Sequence, residues 1–183
     1  MSTRQQDLDA ELKKEADLKK FFELQENNKR SEAQEEEYHR LLAAYGKEII
    51  KNPDMIKGKK QEEVNYAIQG IQQDIFKQII KDYEEKTGRK IEERDGKPCF
   101  TFPSQEDAVS FFEDQAKQGR PFQVYCKEKD HCIYSDGTNF VHGTLKEVEA
   151  YKKNPEAFEL GEHGALKAKE PQEQEQQTTA PTL

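Results

Sequence analysis

The chain has 183 residues, a formal net charge of -8, 36% charged and 33% hydrophobic residues, and a mean hydropathy of -1.13. Ordinary domains run at roughly 45–50% apolar and about 25% charged residues, so the composition excludes a compact globule over the whole length and implies solvated helix faces and a polar tail. The acidic balance argues against nucleic-acid binding, which needs clustered Lys and Arg, and no apolar run approaches the ~18 residues of a membrane span.

The amino end, MSTRQQDLDAELKKEADLKK, lacks the apolar core of a secretory signal. Synthesis in a cytoplasm follows as the expectation, with all three cysteines reduced. Residues 1–88 read as entirely helical. A first segment over Gln5 to Gln25 places Leu8, Leu12, Ala16 and Phe22 on one side, with Phe21 and Leu24 off that line. "SEAQ" then forms a capping box, Ser31 as N-cap and Gln34 reaching back. The second helix, from Glu32 to Ile50, uses Tyr38, Leu41, Leu42, Tyr45 and Ile49, and stops before Pro53.

In the third segment Val64, Ile68, Ile71, Ile75 and Ile79 advance in steps of three and four along one helical stripe, widened by Phe76, Ile80 and Tyr83. Gly88 suits its C′ position. Packing against the first two helices is the expected use of this seam. The alternative is that Phe76, Ile80 and Tyr83 meet a partner's helix, or that the helix over residues 61–87 pairs with its copy as a self-associating coiled-coil scaffold.

After Gly88 the pattern changes. Asp95-Gly96 predicts a type I′ hairpin turn, with strands near Lys90–Arg94 and Pro98–Phe102. Ser104 caps a helix whose apolar face is Val109, Phe112 and Ala116, ended by Gly119. "PFQVYC", "HCIYS" and "NFVH" read as three short strands, and Thr144 with Glu147 opens a last helix as a second capping box. The expected fold is α+β: a helical region over 1–88, a small α+β module of order β-β-α-β-β-β-α over 89–160 with one helix covering one sheet face, and a flexible tail over 161–183.

The run "FQVYCKEKDHCIYSDGTNFVHG" concentrates sulfur and imidazole. Cys126 and Cys132 lack the two-to-four-residue spacing of a zinc pair. If Ile133 shares the face of Phe122, Val124 and Cys126, strand alternation sends Cys132 to the opposite face with Tyr134. Neither a shared metal nor a disulfide fits that arrangement, so no metal and no cofactor is expected. Cys126 reads as an inert buried thiol. Cys132, beside His131 at a turn, reads as the best nucleophile, with His142 as the histidine able to approach a cysteine. Cys132, Cys126 and His142 are therefore the residues of a small cysteine-dependent hydrolase or transferase acting on a protein, the enzymatic alternative. The leading expectation is a non-enzymatic protein-interaction module, with Tyr125, Tyr134 and Phe140 on the sheet as contact residues.

The carboxy-terminal stretch EPQEQEQQTTAPTL resembles the export signals of proteins secreted by the Dot/Icm type IVB system of Legionella and Coxiella bacteria. Glu170, Glu173 and Glu175 match the acidic part, Thr178, Thr179 and Ala180 the small residues, and Leu183 the terminal apolar residue. The resemblance implies an effector or secretion accessory that is translocated into a host cell, meets a host protein there and contributes to virulence. It implies no particular reaction.

Overall fold

The computed structural model describes residues 2–170. The chain is α+β, with five α-helices and three small antiparallel sheets among the described residues. Helices α1 (Thr3–Glu26), α2 (Glu32–Lys51) and α3 (Gln61–Thr87) come first. A hairpin of β1 (Glu92–Arg94) and β2 (Lys97–Cys99) leads into α4 (Gln105–Lys117), and then the main sheet follows as β3 (Pro121–Cys126), β4 (His131–Asp136) and β5 (Phe140–Gly143). Helix α5 (Leu145–Lys153) and a last hairpin of β6 (Phe158–Leu160) and β7 (Leu166–Ala168) complete the order.

The local signals act as expected. Ser31 Oγ accepts from the Gln34 amide while the Gln34 side chain accepts from the Ser31 amide, and Thr144 and Glu147 make the same reciprocal pair at α5. Two donors that helix geometry leaves unpaired are thereby satisfied at each start. Gly88 ends α3 in the left-handed region at φ 68. Asp95 and Gly96 both take positive φ, which a type I′ turn requires.

The apolar seam of α3 is filled from within the chain. Val64, Ala67, Ile71, Ile75, Ile79 and Tyr83 are all buried, in one cluster with Phe21, Leu24, Tyr38, Leu41, Leu42 and Ile49 of the first two helices. The buried residues of that seam face the first two helices of the same chain. The same cluster continues into Val109, Phe111, Phe112, Phe122 and Ile133. Around Tyr83 it becomes aromatic: Phe100 and Phe102 meet its ring at centroid distances of 5.1 and 5.5 Å, and Phe111 and Phe112 stack edge-on at 5.1 Å. Edge-to-face geometry sets the positive rim of one ring on the negative face of the next. The boundary near residue 88 thus marks a change of element type inside a continuous core.

Several expectations are corrected here. The packed face of α1 carries Phe21 and Leu24, while Leu8 and Leu12 are 50% and 56% exposed. Hairpin β1–β2 is a ribbon of its own, separate from the main sheet. Both faces of the main sheet are covered. Phe122, Val124 and Ile133 pack toward α3 and α4, while Cys132, Val141 and the half-buried Tyr134 pack with Val148 and Tyr151 of α5. Finally, order extends past Gly161: Leu166 is buried in the second cluster, β7 pairs with β6, and His142 bridges Ala165. The export-like stretch from residue 171 onward lies outside the described residues.

Candidate functional site

Register decides what the sulfur and imidazole groups do. Cys126 pairs with His131, Tyr125 with Cys132, and Ile133 with His142. Directly opposed residues project from the same face of an antiparallel sheet, so Cys126, His131, Ile133 and His142 share the α4 side and Cys132 faces α5. Opposite faces for the two cysteines are as the alternation argument required, and all three thiols are free.

Their environments are the reverse of the expected ones. Cys132, the anticipated nucleophile, is fully buried, and desolvation pushes its thiol up to about 11. A thiol so placed is a small core side chain at neutral pH. Cys126, anticipated as inert and buried, is exposed at the end of β3. Among the described residues, no thiol donates to or accepts from an imidazole. His142 instead meets His131, with Nδ1 3.0 Å from Nε2 and the rings near perpendicular at 86°. Burial lowers the proton affinity of both; His142 and Lys129 add to this at His131, and His163 adds to it at His142 against the opposing pull of Glu113 and Glu147. Two neutral rings held this way share one proton, one nitrogen donating and the other accepting.

A second imidazole–carboxylate contact lies beside the first. His163, in the turn before β7, holds φ 54 and places Nδ1 2.8 Å from Glu113 Oε2 of α4. Gly164 follows at φ 77, with space for a Cβ denied by the Phe140 carbonyl oxygen at 2.5 Å. This tight turn seats the final hairpin over the edge of β5. Three of the four histidines thus gather at one end of the main sheet, yet no group of three His, Cys, Asp or Glu side chains able to hold a metal ion occurs among the described residues. The cluster carries proton-accepting capacity without an activated nucleophile.

The anticipated contact residues divide sharply. Tyr83 is buried, its hydroxyl donating to the Thr101 carbonyl and accepting from the Thr101 amide, both at 3.0 Å. Phe76 packs edge-on against Phe100 at 5.7 Å, Ile80 is half-buried, and Phe140 packs against the main core. Tyr134 lies under the Lys152 ammonium, 5.1 Å from its ring centroid. Tyr125 alone of the six keeps a large free surface, 45% exposed with its hydroxyl 3.0 Å from Asp130.

Sequence reasoning missed an exposed apolar pair on α1. α2 ends at Lys51, about one turn beyond the Glu48 carboxylate that Lys14 grips at 2.7 Å, so α1 overshoots its partner helix from Leu12 back to Thr3. Every residue from Thr3 to Lys13 is exposed. At about 100° per residue, Leu8 and Leu12 lie within about 40° of each other and nearly opposite the midpoint of Phe21 and Leu24. The signal was present in the sequence, because the two apolar lines of α1 are incompatible and only one can face α2. No family model, no curated protein and no solved structure matches this chain.

Proposed function

We propose that the protein is a non-enzymatic interaction module whose docking element is the free amino-terminal half of α1, seated in an apolar groove of a partner protein. The observation that carries this reading is the pair Leu8 and Leu12, 50% and 56% exposed one turn apart on a helix segment with no partner on that side among the described residues. Helix-in-groove recognition uses such i, i+4 anchors. Their flanks, Arg4, Asp7, Glu11 and Glu15, are of mixed sign, which suits an apolar groove with a polar rim. The buried thiol of Cys132 and the lack of a thiol–imidazole contact weigh against the cysteine-enzyme alternative.

The test is capture by the full chain and by its Leu8→Glu/Leu12→Glu form. A partner retained by the first and lost by the second, with unchanged thermal melting, supports the reading. Identical capture by both overturns it. Export into a host cell is a separate proposal resting on the resemblance of the carboxy-terminal stretch. A translocation reporter fused to the chain with residues 171–183 removed tests it, and undiminished delivery would sink it.

A further inference from the structure

Five lysine and arginine side chains are half-buried among the described residues: Lys14, Arg30, Lys47, Lys59 and Arg120. Four of them hold a carboxylate, respectively Glu48, Glu35, Glu26 and Asp82. Lys47 has none among the described residues. Partly burying an ammonium without a counter-charge costs free energy, so an unpaired one in a chain of net charge -8 calls for an explanation.

Its surroundings are shaped to present it. The Lys47 stem lies against Gly137, where an added Cβ would come within 2.9 Å of both Lys47 Cβ and Cδ. Its Nζ sits 3.6 Å from the place a Cβ would occupy on Gly119. Both glycines take positive φ, so two turns, α4–β3 and β4–β5, leave a channel for this one side chain. The channel opens on a hollow of about 130 Å³ rimmed by Lys47, Gln78, Gln118 and Arg120, with Leu42 and Ile75 among the apolar groups that line it. Arg120 Nη1 is committed to Asp82 and Gln115, while Nη2 and Nε have no acceptor among the described residues. The acids on neighbouring elements are already used, Asp82 by Arg120 and Asp136 by Lys51.

We propose that this hollow is a binding site for a carboxylate on a short apolar stem. The volume matches about four waters at ~30 Å³ each, which suits a carboxylate with one or two carbons. The ammonium and the open edge of the guanidinium supply charge-assisted donors for its two oxygens, and Leu42 and Ile75 meet the stem. A free short-chain acid and a glutamate side chain on another protein carry the same group.

The experiment is a titration of the full chain with sodium propionate, N-acetylglutamate methylamide, inorganic phosphate and propionamide, followed by amide and Arg120 Nε chemical shifts. Saturable shifts confined to Gly119, Arg120 and Gly137 are expected with propionate, and none with the neutral propionamide. Binding by the glutamate derivative as well assigns the site to chain-borne carboxylates, and binding by propionate alone assigns it to free acids. Lys47→Gln should weaken the interaction about tenfold or more, since it removes one charged hydrogen bond, and Lys47→Arg should retain it. Equal shifts with propionamide, undiminished affinity in Lys47→Gln, or saturation by phosphate but not propionate would each overturn the proposal. Failure of both carboxylate probes to saturate would do the same.

Discussion

Cys126 and Cys132 differ by one step of strand parity, and that step puts one in solvent and the other beneath α5. With the Cys132 thiol pushed up to about 11 and its surface fully covered, iodoacetamide at neutral pH should modify Cys126 promptly and spare Cys132 in the folded chain. Peptide mass spectrometry reads the outcome, and early modification of Cys132 would contradict the packing of α5. The histidine pair gives a pH-dependent counterpart. His131 and His142 bind protons less readily in the fold than the 6.5 of an ordinary imidazole, so below that value the unfolded chain takes up more protons than the folded one. The contribution is whole above pH 6.5 and is lost as the pH falls through and below it. Facing groups on every side shape the size of the loss: Lys129, Glu113, His163 and Glu147. Tm should drop on going from about pH 7.5 to about pH 5.5, and His142→Gln should flatten that slope; an unchanged slope would show that the pair does not titrate on folding.

At the scale of elements, what was legible and what was not follows from how many local signals agreed. The α3 seam, both capping boxes, the Asp95-Gly96 turn and the helix capped by Ser104 are readable because each rests on a pattern within one continuous segment. Helix α1 offers two competing apolar lines in so polar a segment, Leu8–Leu12 and Phe21–Leu24, and only the packing against α2 decides between them. Strand alternation separated the cysteines correctly, yet the buried side was misjudged because nothing local announces that α5 folds back over Cys132. Hairpin β6–β7 was missed because Leu166 is its one buried residue and the polar residues around it read as tail. Its anchorage depends on a tight turn, which suggests a direct test. Gly164→Ala adds a Cβ where the Phe140 carbonyl oxygen stands at 2.5 Å and strains a residue at φ 77. The hairpin should undock, seen as faster exchange of the Gly161 and Ala165 amides, with the amides of α3 unaffected. Ser31→Ala, by contrast, should cost about 1 kcal/mol through the loss of one cap.

For the whole molecule, the continuity of the core outweighs the change of element type near residue 88. Leu41 in α2 and Ile133 in β4 belong to the same buried cluster, joined through the α3 seam and the phenylalanines of α4. Neither half can be exposed without uncovering the other's apolar surface, so unfolding should be a single cooperative event. Helicity is dominated by α1, α2 and α3, whereas the Cys132 thiol reports only on the sheet and α5. In a urea titration the loss of ellipticity and the onset of Cys132 labelling should therefore share one midpoint. Leu41→Ala and Ile133→Ala, each costing about 2–5 kcal/mol as large-to-small core changes, should move both signals together. Were Ile133→Ala to advance the labelling of Cys132 while ellipticity held its midpoint, the helical region and the sheet would be separate folding units, and the shared aromatic core around Tyr83 would be a contact between them instead of a common interior.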